Sequence, residues 1–577
     1  MSDSEGYWSR AASARYGRRR LLRAGAASAI GAAALAGGLA CGSRKPQAAG
    51  TNTAGNAPVA GAPPKLEQGK NGGKLVYVTA NEPPDFDPRL TESIGLYGVL
   101  TSVSNRLIRT VQGGEAKSFY DYTLKPELAE SWEQPADLTS LTVKLNKGVK
   151  WHDVAPVSGR ELTSADIKYT FDSYRSSGAH TASFDSLERV ETPDAYTAKF
   201  VLNQPFGGFL ETLTTPTQVV FAHEVIEKYG DLKSVMIGTG PFMTSRFERG
   251  VGYAAVKNPN YFKKGLPYLD GIETPFITDG ATRKASFRSG QADIVQLADT
   301  GELKEVQSSN PSLQSQEVLE PRSNQALMMN PQDTGRYSDV RVRRAMSMAI
   351  DRVAIRKGLF QDHATVGGGI PWFFYQDAPP TQDQLGPYFQ YNPAEAKKLL
   401  EAAGYKDGFK DTYSYFEYDT SRTSIAQLVQ AQLKKNLNID LEIKQMDYPT
   451  YFQAYSGRKL LGTYQGGQLA SGVTVDDFTY KYVLSDSVSN YSHMADAEID
   501  RLARAIRREG DVTKRKALVK QMIDREQDQV FRPWLPYRFS FYVVQPHVRG
   551  YYYVALRGGG CQDYGGAARE LHWSAKA

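Results

Sequence analysis

The sequence predicts an α/β protein, with sheets covered by helices, and three observations predict it. Strand-like and helix-like segments intermix along the whole body, which argues against a bundle or a sandwich. The chain has 577 residues, long enough for two or more domain-sized cores. Beyond residue 41, no apolar run approaches the roughly 20 residues that a membrane-spanning helix needs.

Residues 1–40 precede that body and read as an export signal: arginines, then a weakly apolar Ala/Gly run over 24–40, then small residues ahead of Cys41. Arg18-Arg19-Arg20-Leu21-Leu22-Arg23 resembles the twin-arginine pattern, and Gly38-Leu39-Ala40-Cys41 resembles a lipoprotein cleavage box with its Leu one place late. The expectation is a lipid on Cys41, export, and attachment to the outer face of the plasma membrane or residence in the periplasm. Residues 41–71 are rich in Gly, Ala, Pro, Asn and Thr and nearly free of large apolar side chains, so they read as a flexible tether. The only other cysteine is Cys561, so acylation of Cys41 leaves no intrachain disulfide.

Charge also belongs partly to the leader. Residues 1–40 carry six Arg against Asp3 and Glu5, a net +4, so the formal +6 of the chain leaves +2 for the rest. A nucleic-acid partner is therefore not expected.

The body opens on a strand over 73–78, and Leu141-Thr142-Val143-Lys144-Leu145 alternates as a half-buried strand. Thr163-Ser164-Ala165-Asp166 forms a capping box for a helix through Tyr174. A helix begins near Ser338, with Val340, Val342, Ala345, Ala349 and Ile350 on its apolar side and its arginines facing water. Asn392-Pro393-Ala394-Glu395 opens another that stops at Gly404, and a further helix follows Asp496 with Ile499, Leu502 and Ile506 on one side. Gly238 and Gly240 suit a turn of unusual backbone angles.

Several stretches stand in an order that carries a resemblance. They are Leu124-Lys125-Pro126-Glu127-Leu128-Ala129-Glu130-Ser131-Trp132, then Lys147-Gly148-Val149-Lys150-Trp151-His152-Asp153, then Ile237-Gly238-Thr239-Gly240-Pro241-Phe242. Asn258-Pro259-Asn260-Tyr261-Phe262, Ser289-Gly290-Gln291-Ala292-Asp293-Ile294, Asp339-Val340-Arg341-Val342-Arg343-Arg344-Ala345 and Tyr391-Asn392-Pro393-Ala394-Glu395 follow. With these the chain resembles the solute-binding proteins of the dipeptide, oligopeptide and nickel type that serve ABC importers, bacterial extracellular solute-binding protein family 5.

The resemblance implies a two-lobed periplasmic-binding-protein-like fold of type II, with an extra inserted subdomain, hinged around a central cleft. Mapped here, lobe one takes 72–320 and 546–577, with the insertion near 110–235, and lobe two takes 321–545. It implies a monomer that binds a small solute, a peptide or else an oligosaccharide or other amphipathic molecule, and delivers it to the permease subunits of an ABC transporter. An exported chaperone-like binder of unfolded segments is the reading from another class, separable by many loose ligands in place of one tight one.

An enzyme reading finds little material. His223-Glu224-Val225-Ile226-Glu227 lacks the second His of a helical zinc-protease motif, neither a G-x-S-x-G elbow nor a phosphate loop occurs, and no cofactor or metal is expected.

For the solute, peptide-binding relatives pair the terminal amine with a carboxylate in lobe two, in a segment that matches Tyr464 to Phe478 here. Tyr464, Gln465 and Gln468 stand in it, but no carboxylate occupies the anchor position. Either Asp476 or Asp477 takes that part, or the solute has no free amine, since a buried ammonium without a charge partner is costly. Trp372, with Phe373 and Phe374, follows a glycine turn that can present aromatic faces to the cleft. Arg322, Asn324 and Gln325 begin the crossing between lobes, and Tyr415 and Glu417 alternate onto one face of a strand.

Overall fold

The computed structural model describes residues 69–551 except 91–92, 112–114, 119–120, 177–179, 182, 298, 319–324, 417–419, 468–473 and 488–489, together with 573–574. The expected leader, almost all of the expected tether, Cys41 and Cys561 lie outside the described residues.

The chain builds two lobes, each around its own sheets and its own core. In the first, Lys74–Val76 pairs in parallel with Gly271–Pro275, which continues antiparallel to Gly252–Lys257 and Phe242–Glu248. The helix Ile94–Val103 lays Leu96, Val99, Leu100 and Val103 into one cluster with Phe242, Tyr253 and Ile272. A second sheet places Ser540–Val544 between Ile294–Leu297 and Gln314–Val318. Those five residues, expected in lobe two, are thus paired with strands of the first lobe.

A separate four-stranded antiparallel sheet, in the order Ala129–Glu133, Ser140–Leu145, Thr197–Leu202, Leu187–Asp194, is the inserted subdomain. Its helix Ser164–Ser176 seats Ile167, Phe171 and Tyr174, with Phe171 meeting Phe200 edge-on at 5.0 Å. The capping box forms by its acidic half: Asp166 accepts from the Thr163 backbone N–H at 2.9 Å.

The second lobe is a six-stranded mixed sheet in the order Ala364–Val366, Trp534–Arg538, Gln325–Met329, Thr463–Gly467, Lys410–Phe416, Asp440–Met446. Alternation divides its faces. Leu327 and Met329 join the helices Val340–Met348, Arg352–Phe360, Pro393–Ala402 and Thr420–Leu437 on one side. Ala326 and Met328 join Tyr451 and Tyr455 of Tyr448–Ser456 on the other. Caps start these helices as the sequence pattern requires: Asn392 accepts from Glu395 N–H at 3.1 Å, and Asp496 from both Glu498 and Ile499 N–H at 3.1 Å. Gly404, at φ 91°, sits where the helix Pro393–Ala402 has ended.

Two expectations are corrected. Arg343 of the helix Val340–Met348 does not face water but is buried, because its Nε and Nη1 donate to the carbonyls of Gln529, Tyr337 and Ser338. Gly238 and Gly240 have ordinary φ values; a Cβ at Gly238 would stand 2.0 Å from Val103 O, and one at Gly240 2.4 Å from Val103 C. Close backbone approach, not a special torsion, demands glycine at both places.

The same turn grips His152. Its buried ring accepts from Gly238 N–H at Nδ1 (3.3 Å), so the proton is on Nε2, which donates to Gly240 O at 3.1 Å. Burial lowers the pKa of this ring to about 4, although the contact with the Gly240 carbonyl works the other way. The unfolded chain therefore binds the extra proton between about pH 6.5 and 4, while the folded protein resists it. Stability from His152 is complete above pH 6.5 and is lost as pH falls to about 4, by about 3 kcal/mol. Urea unfolding at pH 7 and pH 4 should show a fall in unfolding free energy that is smaller by about that amount in His152→Gln; equal falls in the two proteins would reject the assignment.

Candidate functional site: the seam between the lobes

Two central strands of the second lobe carry buried polar residues inside an apolar frame. Gln325 and Gln465 are diagonal neighbours on Gln325–Met329 and Thr463–Gly467, both buried, and Gln465 Nε2 donates to Gln325 Oε1 at 2.6 Å. The Gln465 carbonyl accepts from Tyr451 OH at 2.6 Å. Tyr464 faces the other way, into the core with Tyr455, and its hydroxyl donates to Tyr491 O. Tyr415 is likewise a core residue, bonded to Thr423 and Gln445. Neither tyrosine is brought to the seam, because alternation along each strand turns the side chain into the lobe.

Trp372–Phe374 is a buried turn of 3-10 helix rather than an open loop of aromatic faces. Phe373 packs at a tilt against Tyr122 of the first lobe, ring centroids 4.2 Å apart, and Phe374 packs on Phe478 at 5.7 Å. The glycines before it permit close contact: a Cβ at Gly369 would stand 2.8 Å from Arg532 Nη1 and 2.9 Å from Trp534. Arg532 pairs with Glu526 at 3.2 Å, both almost fully buried, and donates to Tyr482 O at 2.9 Å. Burial raises the Glu526 pKa against the pull of Arg532.

Asp476 enters at the opposite rim, in the helix Val475–Tyr482, and is buried. A Cβ on Gly208 of the inserted subdomain would stand 3.0 Å from its Oδ2. Next to it is Arg507, at the end of the helix Ala497–Arg508, which grips Asp185 of the inserted subdomain through both terminal nitrogens, Nη1 to Oδ2 at 3.2 Å. Burial works against the charge of Arg507, yet the bond to Asp185 and the fields of Asp185 and Asp476 outweigh it and raise the pKa. The guanidinium also lies between two rings, Phe206 at 4.6 Å and Tyr480 at 4.4 Å. Arg515 repeats the device beside it, donating to Glu211 at 2.6 Å. Gly207 N–H donates to Arg507 O at 2.9 Å, which brings the two backbones together.

Of the remaining expected residues, Arg322, Asn324, Glu417 and Gln468 lie outside the described residues, as does the side chain of Asp477. Arg507, Glu526 and Arg532 escaped sequence reasoning. Two of them left a signal, since Arg507 falls four places after buried Ala503 and Glu526 four after buried Met522, which places both on apolar helix faces.

Comparisons agree with this architecture. Residues 123–490 match the family described as bacterial extracellular solute-binding proteins, family 5 Middle. The glutathione-binding protein GsiB of Salmonella choleraesuis is 28% identical over 378 residues, covering 63% of this chain and 69% of that one. GsiB of Escherichia coli is 28% identical over 388 residues with the same coverage. Among solved structures, DppA of Helicobacter pylori in complex with the peptide STSA superposes with a TM-score of 0.70 at 21% identity, covering 88% of this chain and 99% of that one. AppA of Bacillus subtilis with a nonapeptide gives 0.70 at 22%, covering 88% and 100%. These two structures establish the likeness of fold.

Gly207 offers a direct test of the seam. A Cβ there would stand 2.3 Å from Glu509 O across the interface, while its φ is one that other residues adopt. Gly207→Val should hold the lobes apart, seen as a larger radius of gyration in X-ray scattering with little change in thermal midpoint. An unchanged scattering profile would show that the contact does not limit closure.

Proposed function

The chain belongs to the bacterial extracellular solute-binding proteins of family 5, and from this membership we propose that it is the exported receptor of an ABC importer for short peptides. The observation that carries the reading is the seam itself: two lobes with separate cores that meet through buried polar and charged groups. Such an arrangement holds a guest only if the guest touches both lobes, since a ligand shifts an open–closed equilibrium by its difference in affinity for the two forms. A hundredfold difference corresponds to about 2.7 kcal/mol. We take lobe one as 72–320 with 546–577 and lobe two as 321–545, and the pairing of Ser540–Val544 with Ile294–Leu297 and Gln314–Val318 supports counting that strand with the first lobe.

The glutathione-binding relatives favour a short peptide, and the packed state of Trp372–Phe374 removes the main support for ring stacking on a sugar. In the peptide reading Asp476 meets the terminal ammonium, which takes over part of the field that Arg507 now supplies. The solute is bound and released without a bond being made or broken.

Calorimetric titration with glutathione and di- and tripeptides, free and N-acetylated, tests this reading. One tight stoichiometric site is expected, with Asp476→Asn and N-acetylation each weakening it by about tenfold or more. Free and acetylated peptides binding alike would remove the amine anchor, and a peptide recovered cleaved would remove the receptor reading.

We also propose that Cys41 carries a lipid and tethers the receptor to the membrane. Two or more acyl chains anchor stably where one binds reversibly. Cys41→Ser should move the protein from the membrane fraction to the soluble one; an unchanged distribution would exclude the anchor.

A further inference from the structure

A polar cavity of about 380 Å³ opens on the second lobe, far larger than the 10–15 Å³ or so that one water requires. It lies where the start of the helix Val340–Met348, the end of Val512–Gln529 and the segment before Ala497 converge, and Ser338, Arg343, His493, Asp496, Gln529 and Phe531 line it. The solute seam does not include it.

Its charge is unbalanced. Arg343 is 3% exposed, and its Nε and Nη1 are spent on three backbone carbonyls. Its Nη2 makes no hydrogen bond among the described residues, and no carboxylate pairs with it there. The acids nearby are committed elsewhere. Asp339 grips Arg341 in a fork, Oδ1 and Oδ2 each 3.1 Å from Nε and Oδ2 2.6 Å from Nη2. Asp496 spends Oδ1 on the helix N-terminus and Oδ2 on Arg525, at 3.1 and 2.8 Å. His493 adds a second unspent donor. Arg458 donates to its Nδ1 from Nε at 3.3 Å and Nη2 at 3.1 Å, which fixes the proton on Nε2.

A buried guanidinium that feels the field of Asp339 but pairs with no carboxylate among the described residues, lining a cavity beside a second N–H donor, calls for an anion with several acceptor oxygens. We infer that this cavity is a binding site for a small oxyanion of the phosphate or sulfate class, held by Arg343 Nη2 and His493 Nε2. The bound anion adds a further tie between elements already linked by Arg343 to Gln529 and by Arg525 to Asp496, and so it stabilises the second lobe by mass action.

The test is calorimetric titration of the intact protein with inorganic phosphate at constant ionic strength in chloride, with sulfate titrated in parallel. The imidazole 15N resonance of His493 Nε2 is followed in the same titration. One site is expected, with a shift at Nε2, lost in Arg343→Met and weakened about tenfold in His493→Asn. Asn tolerates the φ of 56° that residue 493 adopts. If Arg343→Met fails to fold, His493→Asn and the Nε2 resonance decide. The tighter of the two anions identifies the ligand. Neither anion binding, no shift at Nε2, or undiminished binding in His493→Asn would overturn the inference.

Discussion

Arg507 is the charge on which the meeting of the lobes depends. It rises from the end of an amphipathic helix in the second lobe, is sandwiched between two rings, and is gripped by Asp185 from the inserted subdomain of the first. A cation in such surroundings is costly unless acids accompany it. Here one acid comes from each lobe, Asp185 and Asp476, so the arrangement is complete only when the lobes touch. The rim at Arg515 and Glu211 repeats the principle, and the tilted Tyr122–Phe373 ring contact joins the lobes at a second place.

Rigid lobes are the other half of that constraint, and buried arginines supply part of the rigidity. Arg352 is fully buried and donates to the carbonyls of Trp534 at 2.6 Å and Ser347 at 2.8 Å, tying a helix to the central strands. Arg343 does the same for two helix ends. In the first lobe His152 plays this role without a charge, clamping the turn at Gly238 and Gly240 against Val103. Each device adds side-chain hydrogen bonds to backbone carbonyls or amides at turns, helix ends and strands.

Much of the fold was legible because helix starts are local chemistry. Asn392 and Asp496 cap helices where their spacing predicted, and the apolar positions Val342, Ala345, Ala349 and Ile350 are buried. The site was less legible. Tyr464 and Gln465 are both expected as contacts, yet they point to opposite faces of their strand, and which face a residue takes depends on neighbouring strands far away in the chain. Arg507 and Glu526 showed themselves only as charged residues on apolar faces, a signal that a surface-seeking reading of arginine discards, as it did for Arg343. The glycines at 238 and 240 misled for a related reason: their need is set by Val103, over a hundred places earlier, not by their own torsions.

The seam also bears on how tightly a guest is held. The dissociation constant of a solute that requires closure is its intrinsic value divided by the fraction of empty receptor already closed. Arg507 with its two acids favours that closed form before any guest arrives, so it lowers the cost of binding. The same contacts resist opening, and a receptor that seldom opens neither admits nor surrenders its load. Placing Asp476 within the field of Arg507 resolves part of this conflict. On the proposed peptide reading, an ammonium arriving at Asp476 would compete with Arg507 for one carboxylate while Asp185 continued to hold the guanidinium, so the guest would exchange one stabilising partner for another without first emptying the seam of charge.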